Sequence, residues 1–414
     1  MKGPTLLLIC VDAYVAYRLN IINQNVFVKK VLLFCICCLL GLKSVSAENV
    51  IVSVITCSPG DEAYSLFGHT GLRYRNVDEG VDVVFGYGYF DFNAPNFIWR
   101  FVLGETDYMV GVVSYDHFIG EYEERGSAVV EQVLELTCEQ KNSIYMALVD
   151  NCMPQNRVYR YNYFYNNCTT RIRDQVLAVA GSLSYDGNTT REMTFRDALA
   201  SLTSAHPWYA FGINLLLGSD VDRMASRHEL QFIPSFFMSD LDASSVGNNG
   251  VRLVRETREL VHEQPRKSAM NHFTPFNASL LLLLFTLIVM LCELRCKKTF
   301  WWYDILFMLI QGIPGLLLLF MALFSSHPAV GGNWLILLLN PLALIVVPVM
   351  VWRARKGRGV ALAWLQVVFV VLFFLSAIFS MQVYPVPVYF CAVALLARSL
   401  FHIYKDKICD LNLL

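Results

Sequence analysis

After residue 274 the chain offers five apolar runs: about Pro275 to Leu294, Asp304 to Phe324, Trp334 to Trp352, Gly359 to Met381 and Val386 to Tyr404. Each is near the ~20 residues a helix needs to cross a hydrocarbon core. A segment inside lipid must satisfy all its backbone polar groups internally, so this part of the molecule is restricted to helices packed on helices. The remainder follows other rules. The chain of 414 residues is 55% hydrophobic and 16% charged, too apolar for a single soluble domain, and the excess lies almost entirely after Ala278. Two unlike parts are therefore predicted. A net charge of −1 and the lack of a basic patch give no reason to expect nucleic acid as a partner.

Loop charges predict the orientation. Arg295, Lys297 and Lys298 fill the first loop between spans; Arg353, Arg355, Lys356 and Arg358 fill the third; Lys405 and Lys407 lie in the tail. The second and fourth loops carry no Lys or Arg. The positive-inside rule puts these basic segments and the C-terminus in the cytoplasm, and the N-terminal part outside. Pro314, Pro341 and Pro348 read as kinks, and Gln311, Asn340, Gln366 and Arg398 as polar interruptions that bond between helices. The functional alternative is that Gln311, Asn340 and the outer-loop His327 and Asn333 line a cavity open to the outer leaflet.

The start of the chain reads as an export signal. Lys29 and Lys30 precede the apolar run Val31 to Leu42, and Val45-Ser46-Ala47 follows as a small-x-small cleavage site. The stretch before Lys29 is long for a signal peptide, as if the start codon were placed early; a retained anchor is the alternative. Residues 1–47 are thus expected to be signal peptide or anchor, 48–262 an exported domain, 263–274 a linker and 275–414 the transmembrane domain. Cys35, Cys37 and Cys38 lie in the apolar run without a lipobox. Of the twelve cysteines only Cys57, Cys138, Cys152 and Cys168 fall in the exported domain. Cys138 and Cys152 could bridge across one short helix, and Cys57 is an alternative disulfide partner for Cys168.

The exported domain reads as α+β. Val50 to Ile55, Gly71 to Arg75, Val81 to Tyr87 and Val129 to Leu136 are β-branched or aromatic runs between turn residues, and Val251 to Val261 alternates as a last strand. Phe97 to Tyr115 fits helix or strand. Helical spacing or caps mark Glu139 to Asn151, Thr169 to Ala180, Thr194 to Leu202, Pro207 to Leu217 and Ser226 to Asp240.

Cys168 stands where the aromatic loop ending Tyr165-Asn166-Asn167 turns into a helix. The positive end of a helix favours a thiolate, so a thiol there is a nucleophile candidate. A thiolate needs an imidazole partner, and His69 is framed by Gly68 and Gly71 at the start of a strand, where a backbone or substrate can come close. A buried histidine held by a carbonyl is the structural alternative. His117, His206 and His228 lack such a frame. Candidates for a third group that fixes the imidazole are Asp91, Asn167, Arg171 and Asp174, with Arg171 better suited to support or anion binding. Ser65 and Arg73 bracket His69 and are supporting or substrate-positioning candidates. The exported domain has no His-x-x-x-His or Cys-x-x-Cys spacing, and no Gly-x-Ser-x-Gly elbow, phosphate loop or dinucleotide fingerprint occurs, so no metal or cofactor is expected.

Three segments, Ser65 to Arg73, Tyr87 to Phe92 and Tyr159 to Arg171, resemble the exported domain of the Bacteroidota lipoprotein N-acyltransferase family, which also joins this domain to a C-terminal membrane bundle. The order His then Cys is similar to circularly permuted papain-like thiol enzymes. The resemblance implies a permuted papain-like α+β domain followed by an all-α bundle of five transmembrane helices in the bacterial inner membrane, with the catalytic domain in the periplasm. It implies acyl transfer from a membrane phospholipid, through a Cys168 thioester with His69 as base, to the N-terminal cysteine of a diacylated lipoprotein. The same thiol and imidazole could also serve a membrane-anchored cysteine peptidase or amidase, or a phospholipase. A non-catalytic membrane receptor with a structural Cys168 is the reading from another class.

Overall fold

The computed structural model describes residues 49–91, 93–185, 191–246, 250–265, 273–356 and 362–410. The expected signal segment, Phe92 and most of the expected linker lie outside these residues.

Short runs of β-branched and aromatic residues build the exported domain around one sheet. Its strands are β1 (Val50–Cys57), β2 (His69–Asn76), β3 (Val81–Tyr89), β4 (Asp107–Ser114), β5 (Val129–Leu134), β6 (Val158–Arg160) and β10 (Val254–Val261). They are ordered β10-β5-β1-β2-β3-β4-β6 and every neighbouring pair is antiparallel. A small second sheet pairs β7 (Leu183–Tyr185), β8 (Ser244–Val246) and β9 (Val251–Arg252). Helices α1 (Phe97–Leu103), α2 (Tyr115–Arg125), α3 (Cys138–Cys152), α4 (Cys168–Ala180), α5 (Phe195–Thr203), α6 (Pro207–Leu216), α7 (Arg227–Leu230) and α8 (Pro234–Asp242) cover it.

The period-2 pleat sorts side chains between two faces. Val52, Val54, Leu72, Tyr74 and Phe85 face α3, α4 and α8, meeting Ile144, Leu148, Ile172, Val176 and Phe237 in one core. Ile55, Cys57, Val84 and Val129 face α2 and pack on Phe118 and Tyr122. Each such aliphatic or Phe side chain fully buried contributes about 1.5–3 kcal/mol. That burial fixes the register, since a one-residue slip would turn each set onto the face packed for the other.

Several expectations need correction. The segment 97–115 contains both a helix and a strand, α1 and then β4. The helix expected over Ser226 to Asp240 is two, because Pro234 has no N–H to continue α7 and instead begins α8. The expected last strand is broken at Leu253 into β9 and β10. Cys138 and Cys152 do not bridge: they are the first and last residues of α3, about 21 Å apart along its axis, and all four exported cysteines are free.

The C-terminal part is helical. Helices α9 (Pro275–Cys296), α10 (Trp301–Phe324) and the stretch Val386–Lys405 are long and apolar enough to cross a membrane. The run expected as one span over Trp334 to Trp352 is a 3-10 turn at Trp334–Leu337, the pair Asn340-Pro341, and then the short helix α11 (Ala343–Arg355). Asn340 Oδ1 accepts from Leu342 N, so the amide serves the turn that begins α11. Helix α12 (Ala363–Ile378) is apolar but shorter, and α13 (Val386–Asp410) completes the set. Between α9, α10 and α13 the Arg398 guanidinium forks onto Asp304 (2.8 Å) and Glu293 (2.8 and 2.9 Å), all three buried. His402 Nε2 lies 2.7 Å from the same Asp304 carboxylate.

The two parts are stitched by backbone. Ser326 N donates to Leu103 O (2.8 Å) at the end of α1, and Gly218 N donates to Ala329 O (2.8 Å) just after α6. Asn333 Nδ2 donates to Leu215 O, Gln382 Nε2 to Leu217 O, and Val383 N to the Asp222 carboxylate. This closeness requires glycine: a Cβ on Gly104 would stand 2.6 Å from Ser326 Oγ, and one on Gly218 would collide with Gly331 O. His327, whose Nε2 lies 2.7 Å from Phe101 O, and Asn333 therefore help fasten the domain. Gln311 and Asn340 do share a small hollow among the spans.

Candidate active site

The asparagines of the aromatic loop make its turn. Asn162 Oδ1 accepts from Phe164 N and Tyr165 N, and Asn166 Nδ2 donates to Arg160 O. Asn167 then caps α4: its Oδ1 accepts from Thr170 N (2.8 Å) while the Thr170 hydroxyl accepts from Asn167 N (2.8 Å). Its Nδ2 donates to Tyr163 O and Phe232 O. Cys168 is consequently the first helical residue, where the helix's unpaired N–H groups and dipole favour negative charge.

His69 opens β2, opposite Cys57 of β1. Gly68 before it adopts a left-handed φ of 77°, and a Cβ there would meet Cys57 O at 2.6 Å. Gly71 makes room for Val84 and Phe118. The glycine frame thus admits the protein's own backbone and side chains. The more telling glycine is Gly86 on β3: a Cβ there would stand 3.1 Å from the Tyr89 hydroxyl and 3.4 Å from His69 Nε2.

His69 lies near enough to Cys168 for its charge to act on the thiol. Burial of Cys168 pushes its pKa up, but the His69 charge and hydrogen bond, the Thr70 backbone N–H and the Thr169 hydroxyl outweigh it, and the thiol lies below its ordinary value. The Thr169 hydroxyl lies 3.8 Å from the sulfur and 3.0 Å from the Thr70 hydroxyl, which ties α4 to β2 beside the pair. Around them stand Tyr159, Tyr161 and Tyr163, whose phenols burial pushes up, so they remain neutral donors or acceptors. Burial likewise pushes Tyr108 up to about 12. Cys57 is no rival nucleophile, because burial raises its thiol far above the ordinary range.

The other sequence candidates lie elsewhere or act on structure. Arg73 is buried between Asp82 (2.7 Å, bidentate) and Glu131 (2.9 Å), with its guanidinium over the Tyr115 ring, so it fastens β2 to β3 and β5. Arg171 bonds Asn166 Oδ1 (2.6 Å) and stacks on Tyr159, bracing the loop that carries Cys168. Ser65 Oγ donates to Glu62 O, and exposed Asp91 accepts from Asn93 N. Asp174 is exposed and pairs with Arg173. None of these carboxylates or amides is placed on the imidazole in the contacts described. Residues not singled out in the sequence are Thr70, Thr169, Gly86, Tyr89 and Tyr161; only the neighbourhood of His69, Cys168 and the Tyr-Gly-Tyr run, and for Tyr161 the aromatic run before Cys168, could have flagged them. Among the described residues no cluster of three or more His, Cys, Asp or Glu is placed to hold a metal.

Such an arrangement, an activated thiol beside an imidazole and among buried tyrosines, can attack a carbonyl and hold the acyl group as a thioester. Comparison with known proteins adds a lineage. Residues 40–201 match the family model of the Lnb N-terminal periplasmic domain, and residues 266–407 match that of the Lnb transmembrane domain. Together the two matches span most of the chain, in this order and on these two parts. No curated protein and no solved structure matches.

Proposed function

The chain belongs to the Lnb lipoprotein N-acyltransferase family, a membrane protein with a periplasmic domain, and from that premise we propose that it N-acylates the diacylglyceryl-modified N-terminal cysteine of exported lipoproteins. The observation that carries this reading is the Cys168 thiol, lowered in pKa by His69, in a domain fastened to membrane helices. The Cys168 sulfur attacks an ester carbonyl of a membrane phospholipid, and the C–O bond breaks. The lysophospholipid oxygen takes a proton from the His69 imidazolium, leaving a thioester. The α-amino group of the acceptor then attacks the thioester carbonyl, gives its proton to His69, and the thiolate leaves. An α-amino group has a pKa near ~8, so modest base assistance suffices at neutral pH. The split into two steps gives the thiol its use.

On this reading Cys168 and His69 are catalytic, while Asn167, Arg171 and Arg73 hold the frame. On the same reading the protein sits in the inner membrane with five membrane segments and its C-terminus in the cytoplasm, an orientation that the basic loops support. Mass spectrometry of lipoprotein N-termini provides the test, in cells lacking the gene and complemented with wild type or Cys168→Ala. The third acyl chain is expected only with wild type. Three-chain lipoproteins restored by Cys168→Ala, or purified protein that only releases free fatty acid, would overturn the assignment.

A further inference from the structure

Two helices of the periplasmic domain are built unlike the rest. Helix α1 has no buried residue, and exposes Ile98 (78%), Trp99 (56%) and Phe101 (47%) within seven positions. Its one charge, Arg100, turns onto Asp107 (2.5 Å). Helix α6 also has no buried residue and no charged side chain, and leaves Trp208 and Tyr209 exposed. Apolar surface gathered like this on a water-facing helix marks an interaction site.

Position identifies the occupant. The Trp99 ring lies 4.9 Å from Phe320, one turn before α10 ends, and the apolar face of α10 continues through the exposed Leu323 and Phe324. Trp208 Nε1 donates to Phe273 O, immediately before α9 begins, beside exposed Phe276. Both helices therefore prolong lipid-facing surfaces of membrane helices, at the ends that adjoin the periplasmic domain. Trp and Tyr are the side chains that prefer the headgroup level, and an uncharged apolar helix face suits the boundary below it.

We infer that α1 and α6 lie in the leaflet next to the periplasmic domain, so that the domain is seated in the bilayer surface and not held above it. From α1 a row of rings leads inward: Phe97 stacks on Phe90 (5.8 Å), Phe90 stacks on Tyr108 (4.7 Å), and Tyr108 meets Tyr161 at a tilt (4.5 Å). Tyr161 and the Cys168 Cβ both border Gly88, 3.5 and 3.9 Å from where its Cβ would stand. If the acyl-transfer reading holds, this row is the wall along which a donor chain leaves the leaflet for the sulfur; the seating itself does not rest on that reading.

The test places p-benzoylphenylalanine at Ile98, at Tyr209 or at Met146, an exposed residue of α3. It uses the full chain carrying Cys168→Ala, reconstituted in phosphatidylethanolamine nanodiscs, so no catalytic turnover enters the readout. After illumination, peptide mass spectrometry counts phospholipid adducts. Positions 98 and 209 are expected to exceed 146 at least tenfold. Lipid adducts at the level of position 146, at only one of the two helices, or adducts to protein instead of lipid would overturn the inference. Failure there leaves the acyl-transfer reading to its own assay in cells.

Discussion

Replacing Asn167 tests whether the thiol's position is set by a polar lock. The side chain is 3% exposed and does two jobs: it caps α4 through Thr170 N, and it donates to Tyr163 O and Phe232 O. Loss of an N-cap costs about 1 kcal/mol. Each buried carbonyl left without its donor costs roughly 1–3 kcal/mol. With partial relaxation, Asn167→Ala should lose about 4 kcal/mol of stability in the periplasmic domain. For a domain of this size that lowers its transition by roughly 8–16 °C. Asn167→Ser restores the cap but neither carbonyl partner, so it should recover only about 1 kcal/mol. Scanning calorimetry of the full chain in nanodiscs, following the transition of the periplasmic domain, reads both. Asn167→Ser equal to wild type would show that the carbonyls need no donor, and Asn167→Ala within a degree or two of wild type would refute the whole account of the lock.

Two further outcomes follow from the charges. The His69 charge and hydrogen bond lower the Cys168 pKa while burial raises it, so His69→Ala should move the thiol's titration upward past its ordinary value and slow alkylation at neutral pH; the pH profile of Cys168 alkylation by peptide mass spectrometry checks this, and an unmoved profile would count against the pair. Arg398→Met leaves the Glu293 and Asp304 carboxylates buried without their cation and should cost about 3–5 kcal/mol; the fraction of chain recovered monodisperse from membranes should fall sharply, and Glu293→Gln combined with Asp304→Asn and Arg398→Met should recover much of it.

The helix-start thiol and the strand-start histidine were legible because each announces itself locally, through an Asn-Cys-Thr-Thr cap pattern and a Gly-His-Thr-Gly frame. Strands β1, β2, β3 and β5 were legible for the same reason: their side chains alternate or branch within a few residues. What could not be read depended on distant partners. Arg73 borders the histidine in sequence, yet its role is settled by Asp82 and Glu131 on other strands. Strand β6 is three residues long and defined by its pairing with β4. Hydropathy averaged over Trp334 to Trp352 concealed the turn at Asn340-Pro341, since most residues on either side are apolar. The aromatic stretch 97–115 was ambiguous because a helix with an exposed apolar face and a strand that faces the core draw on the same side chains.

The glycine-permitted stitches at Leu103–Ser326 and Gly218–Ala329 carry a mechanical consequence. With backbone bonded to backbone at two separate places, the height of the sulfur over the span ends is a built-in length of the molecule, like the mark on a depth gauge. If the acyl-transfer reading holds, bilayer thickness then becomes a working parameter: lipids with longer or shorter tails shift the ester plane past a reader that has no means of following it.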